Sequence, residues 1–120
     1  MLGNLMSVDQ PSEHPVIAPK VYDDGYLRVE HENYYVVCGG QRLTLTRAEF
    51  LLISRLTYEP ERVVPLEELW SHVWGASKPL NVQSLHVYMY RLRRVLEPFG
   101  FHIESMVNVG YCLLLNGSSK

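Results

Sequence analysis

Between Asn81 and Pro98 the apolar residues Val82, Leu85, Met89, Leu92 and Leu96 step by three, four, three and four positions. No other feature of the chain constrains its fold as strongly. Residues at this spacing share one face of a helix, so the pattern predicts a helix over 82–97 that buries one stripe. Asn81 is a suitable N-cap, and Pro98 with Gly100 stops the helix. The opposite side carries Gln83, Ser84, Val87, Tyr90, Arg91 and Arg94. That face is polar and basic, with two uncharged side chains in it.

Two shorter helices precede it. Thr46-Arg47-Ala48-Glu49 has the form of a capping box, in which the Thr46 hydroxyl and the Glu49 carboxylate each accept from the other's backbone N–H. Behind it Phe50, Leu51, Leu52, Ile53 and Leu56 form a broad apolar stripe to about Tyr58, and Pro60 prevents continuation. A short extended piece, Arg62-Val63-Val64, leads to Pro65 at a first-turn position. The next helix, Leu66 to about Trp74, is expected to bury Leu66, Leu69, Trp70 and Val73 and to end at Gly75. Trp70 and Trp74 are both expected in the core.

Strands flank the helices. Residues 21–46 are rich in Val, Tyr, Leu and Thr and are cut at Asp24-Gly25, Glu32-Asn33 and Gly39-Gly40. This predicts a small antiparallel sheet of three or four strands. After the last helix, residues 101–115 read as two strands around a Met106–Gly110 turn. Residues 1–20 hold three prolines and no periodicity, as a flexible arm or linker would, and 116–120 are tail. The expectation is an α+β fold over 21–115: small N-terminal sheet, three helices, C-terminal hairpin. That order is the layout of a winged helix-turn-helix.

The 120 residues make one domain. No apolar run approaches a membrane span, and the N-terminus lacks the basic and apolar regions of a leader, so a cytoplasmic location is expected. Cys38 and Cys112 stand in apolar, strand-like contexts and read as buried free thiols. The five histidines have no ligand spacing, and no nucleophile motif is present. Neither a metal, a cofactor nor an enzyme is expected. Net charge is −2, against a nucleic-acid partner at first sight. Its distribution says more. Residues 1–80 carry seven Lys and Arg against eleven Asp and Glu, whereas residues 81–120 carry four against two. Three of those four are Arg91, Arg93 and Arg94.

These motifs resemble the effector domain of OmpR/PhoB-type response regulators. The first-helix signature is matched at Leu45, Thr46, Glu49, Phe50, Leu51 and Leu52. The following turn and helix match at Pro60, Arg62, Val63, Val64, Glu67, Glu68, Leu69, Val73, Trp74 and Gly75. The recognition-helix pattern falls on Leu85, Val87, Met89, Arg91, Leu92, Arg93 and Leu96, and the wing's Gly-Tyr on Gly110-Tyr111. The resemblance covers about residues 21–115.

The resemblance implies that the third helix enters the major groove of double-stranded DNA and that the hairpin reaches an adjacent minor groove, for transcriptional control. It places Arg91 on a base-contacting position and Val87 where an apolar side chain meets a thymine methyl. Gln83 and Ser84 fall near phosphates, and Arg94 faces the DNA backbone. With Tyr90, Thr46, Arg47 and Asn108 these complete the expected DNA-binding set. Arg93, nearer the apolar stripe, is expected in a salt bridge or a backbone contact, and Tyr88 at the core edge. The loop 76–80 is the place for an RNA polymerase contact. A single such module is expected to be a monomer in solution that pairs cooperatively on DNA.

The chain departs from the family pattern at several positions. His86 replaces an Asp, Tyr88 a His, and Tyr90 a frequently polar residue, while Val107 and Cys112 stand where the wing usually has arginines. No receiver domain is expected within the 120 residues. The alternative reading is a winged helix that serves as a protein-interaction module with little or no DNA binding.

Overall fold

The computed structural model describes residues 19–115. Four short strands open it: β1 (Val21–Asp23), β2 (Leu27–Glu30), β3 (Tyr35–Cys38) and β4 (Gln41–Arg42). They pair in that order as an antiparallel sheet, so the larger of the two expected strand numbers holds. The first turn is built by its own aspartates. Asp23 Oδ1 accepts from the Gly25 N–H, and Asp24 Oδ1 accepts from the N–H groups of Tyr26 and Leu27. The Lys20 carbonyl accepts from the His31 N–H, which ties the expected arm's last residue to the sheet. The rest of that arm up to residue 18, and the tail 116–120, lie outside the described residues.

The helices follow as α1 (Arg47–Leu56), α2 (Leu66–Trp74) and α3 (Val82–Leu96). Both halves of the Thr46 capping box are present: Thr46 Oγ1 accepts from the Glu49 N–H at 3.2 Å, and Glu49 Oε1 from the Thr46 N–H at 3.0 Å. Helix α1 ends two residues before Tyr58, where the Thr57 hydroxyl donates to the Ile53 and Ser54 carbonyls. Pro65 caps α2 from an extended conformation (φ −60°, ψ 150°) and so lies one residue outside the expected first turn. Gly75 ends α2 at φ +92°, a region a Cβ disfavours. Asn81 caps α3, its side-chain oxygen accepting from the Ser84 N–H at 3.0 Å. The α-helix stops at Leu96, one residue short of the expected 97. Glu97–Phe99 tighten into a 3-10 turn around Pro98, which has no N–H to continue the ladder.

The C-terminal hairpin is β6 (His102–Met106) with β7 (Gly110–Leu114). It is joined by β5 (Val64–Pro65), where the sequence alone predicts only a short extended piece, giving the order β5-β7-β6. Gly110 is needed for this pairing. A Cβ there would stand 1.9 Å from the Val64 carbonyl oxygen, so only hydrogen fits between β5 and β7. The turn residue with positive φ is Asn108 (+63°), a conformation asparagine tolerates.

One core joins all of these layers. Leu27, Val29 and Val36 from the first sheet meet Leu52, Ile53 and Leu56 of α1 and Leu69 of α2. Leu85, Met89, Leu92 and Leu96 of α3 close it with Phe101, Ile103, Tyr111 and Leu113 of the hairpin region. Trp70 is buried as expected, but Trp74 is only half-buried and lies along the flank, its ring centroid 4.2 Å from that of Trp70. Cys38 and Cys112 are buried and free, and burial pushes the Cys38 thiol up to about 11.

At the edge of this core an aromatic row runs from the first sheet to α2. His31 meets Tyr58 edge-on at 5.2 Å, and Tyr58 meets His72 edge-on at 5.4 Å. His31 Nδ1 also lies 2.7 Å from the Ser54 hydroxyl. Burial lowers both imidazoles from the ordinary 6.5; Glu30 opposes this at His31, while Arg55 and His31 add to it at His72.

Two outcomes follow from this architecture. Gly110→Ala should lower stability by on the order of 3 kcal/mol, because the clash is with backbone and the strand pair must separate. Chemical denaturation measures it, and a change within a few tenths of a kcal/mol would contradict the close approach. Acid should also destabilise the fold through the two histidines. Their folded pKa values lie below the unfolded one, so the unfolded chain takes up protons first. This contribution is complete above about pH 6.5 and is lost as the pH falls through the folded values. Melting temperature should drop from pH 7.5 toward pH 5, and His72→Gln should flatten the drop; equal slopes for the two proteins would contradict it.

Candidate nucleic-acid interface

Helix α3 owes its outer face to its inner one. Leu85, Met89, Leu92 and Leu96 are almost wholly buried, which fixes the rotation of the helix. Gln83, Val87, Tyr90, Arg91 and Arg94 are exposed as a result, with Ser84 half-buried beside the N-cap. Val87 is 48% and Tyr90 56% exposed, large values for apolar and aromatic side chains. No carboxylate stands between Val82 and Leu96. A helix of 15 residues is roughly 22 Å long, and a major groove about 12 Å wide admits one.

Two arginines on this face lean on tyrosines one turn back. The Arg91 guanidinium lies 5.4 Å from the Tyr88 ring centroid, and Arg94 lies 5.8 Å from that of Tyr90. Arg94 Nη1 also donates to the Tyr90 hydroxyl at 2.9 Å, which holds the guanidinium pKa above its ordinary value. Each contact limits the rotamers of a long side chain. Tyr88 in turn packs on Trp74, with ring centroids 5.1 Å apart, so it sits at the core edge as expected.

Arg93 faces the other way. Its Nε donates to the Ile103 carbonyl at 2.9 Å and its guanidinium lies 5.6 Å from the Tyr111 ring centroid. Its partner is thus the protein's own main chain. The helix therefore presents two arginines outward and spends the third on holding the hairpin.

The remaining expected residues lie in two other places, the start of α1 and the hairpin tip. The Thr46 oxygen serves the capping box, which leaves its hydroxyl proton free to donate. Arg47 is exposed and its Nη1 donates to the Val73 carbonyl at 3.3 Å, tying the start of α1 to the last turn of α2. Asn108 stands at the hairpin tip, where Met106, Val107 and Val109 are also exposed, Val107 by 77%. Among the described residues no hydrogen bond or ring contact links this tip to the α3 face.

The sequence reading missed His86. It is exposed on α3 between Gln83 and Tyr90, and its Nδ1 is hydrogen-bonded to the Tyr111 hydroxyl of β7. In the sequence it registered only as a departure from the family pattern, because its partner lies 25 residues away. Among the described residues no cluster of His, Cys, Asp or Glu could hold a metal, and no helix is long and apolar enough to cross a membrane.

Residues 40–113 match the family described as "Transcriptional regulatory protein, C terminal". The chain belongs to that family. Among its relatives, the phosphate regulon transcriptional regulatory protein PhoB of Escherichia coli strain K12 is 29% identical over 99 residues, 81% of this chain and 43% of PhoB. The response regulator MprA of Mycobacterium ulcerans is 38% identical over 80 residues, 65% of this chain and 34% of MprA. This chain thus spans less than half the length of these curated relatives. The DNA-binding domain of Escherichia coli CpxR superposes with a TM-score of 0.67 at 24% identity, covering 78% of this chain and 94% of that domain. The Klebsiella pneumoniae RstA DNA-binding domain, solved in complex with the RstA box, gives 0.66 at 24% identity over 78% and 96%. These likenesses establish the fold as a winged helix-turn-helix, with β6–β7 as the wing.

Proposed function

We propose that the domain binds double-stranded DNA sequence-specifically, for transcriptional control, with α3 laid in the major groove. The observation that carries this is the outer face of α3: Arg91 and Arg94 are exposed, each braced by a tyrosine, on a helix with no carboxylate to repel phosphate. The RstA domain bound to the RstA box, and a domain of AdeR bound to an intercistronic region, give the fold a precedent for such a partner.

In this reading Arg91 and Val87 meet base edges, and Gln83, Ser84, Tyr90 and Arg94 meet base edges or phosphates along the groove walls. Thr46 and Arg47 face phosphates from the start of α1, and Asn108 approaches the minor groove at the wing tip. The loop 76–80 is the proposed RNA polymerase contact. Its path is fixed by the Trp70 indole N–H, which donates to the Lys78 carbonyl at 2.9 Å. Copies are monomeric in solution and pair on neighbouring half-sites, since one module buries only about 600–1,000 Å² of protein surface on DNA.

The exposed Met106, Val107 and Val109 favour a second reading, a protein-interaction module, because an apolar wing tip neutralises no phosphate. Salt dependence separates the two. Binding to DNA should weaken with added salt, at a log–log slope of about −0.9 per phosphate neutralised. Arg91→Ala should cost about 1–3 kcal/mol and relax preference at one base position. Val107→Arg should steepen the slope by about one unit. A flat salt profile together with an inert Arg91→Ala would favour the protein-interaction reading.

A further inference from the structure

The wing's Tyr111 stands between two residues of α3. On one side the Arg93 guanidinium lies over its ring, and on the other its hydroxyl meets His86 Nδ1. The two rings are edge-to-face, with centroids 5.8 Å apart. Tyr111 is only 2% exposed, so its hydroxyl proton must go to an acceptor within the fold. Ser105 lies opposite Tyr111 in the strand register. The partner this hydroxyl meets is His86 Nδ1, an acceptor within reach of that proton. Burial also raises the phenol's pKa, which keeps that proton on the oxygen at neutral pH.

An imidazole nitrogen that accepts has no hydrogen, and in the neutral ring the other nitrogen then carries it. Nδ1 accepts from Tyr111, so Nε2 carries N–H. Among the described residues Nε2 has no partner, and His86 is exposed on the same face as Gln83, Val87 and Tyr90. We propose that His86 is a base-reading residue whose donor nitrogen is selected by the wing. Its Nε2–H meets an acceptor on the major-groove edge (a purine N7, guanine O6 or thymine O4), and Tyr111 acts as the positioning residue. The aspartate in the resembled pattern could only accept a hydrogen bond there. Histidine held in this tautomer donates instead, so the base preferred at this position is one that a carboxylate would not select. The proposal rests on α3 lying in the major groove, as above.

Two measurements test it on the full 120-residue chain. The first needs no DNA. The imidazole nitrogen resonances of His86, recorded by NMR at alkaline pH, should show the Nε2–H tautomer, and Tyr111→Phe should turn that single form into a mixture. An Nδ1–H tautomer in the unmodified chain overturns the proposal and leaves the DNA-binding reading untouched. The second is selection of binding sites from a random duplex pool. The unmodified chain should enrich one motif. His86→Ala should lose about threefold to tenfold preference, the value of one hydrogen bond, at a single position within it. Tyr111→Phe should relax the same position, and Arg91→Ala a different one. His86 is exposed, so its alanine variant keeps the test valid should Tyr111→Phe fold poorly. An unchanged motif for His86→Ala, or equal weakening on every sequence as a phosphate contact would give, overturns the proposal. Enrichment of no sequence by the unmodified chain overturns both this proposal and the DNA-binding reading.

Discussion

Four side chains on one side of α3 determine how this domain meets anything else. Leu85, Met89, Leu92 and Leu96 fill the space between α1 and the hairpin. Removing one of these methyl-rich side chains would cost about 2–5 kcal/mol in a core this size. A stripe held that firmly cannot rotate, so the opposite face is fixed without needing contacts of its own. The basic outer face is in this sense a consequence of the apolar inner one. The same constraint assigns the three arginines: Arg91 and Arg94 project outward, while Arg93, on the flank of the buried stripe, reaches the Ile103 carbonyl.

The hairpin is fastened to this helix and to the α1–α2 connection by separate means. Gly110 lets β5 approach β7, and Tyr111 bridges to Arg93 and His86. The base of the wing and α3 are thus joined through one tyrosine. An apolar wing tip has little to offer phosphate. In the proposed reading charge recognition falls to Arg91 and Arg94, each kept in place by a tyrosine, with Arg47 at the start of α1 as a third cation.

Much of this was legible in the residues themselves, because it depended on local chemistry. Thr46 with Glu49, Asn81 with Ser84, and the spacing from Val82 to Leu96 specify helix starts and faces over three or four residues. Other features depended on chain segments far apart in sequence. Val64-Pro65 is too short to read as a strand until β7 lies beside it. The direction of Arg93 is set by a carbonyl ten residues on, and the role of His86 by a hydroxyl 25 residues on. Trp74 looked like core because tryptophan usually is, yet its place at the end of α2 leaves it on the flank beside Tyr88. Gly110 was legible as a motif but not in its cause, which is the nearness of the Val64 carbonyl and not the turn.

The central claim is that α3 is the DNA-facing surface. It is tested most directly by adding a selected duplex to the isotopically labelled chain and following each backbone amide by NMR. The account predicts the largest shifts at Gln83, Ser84, Val87, Tyr90, Arg91 and Arg94, with smaller ones at Arg47 and Asn108, and the sheet from Val21 to Arg42 almost unaffected. Shifts concentrated on that sheet, with the outer face of α3 silent, would contradict it.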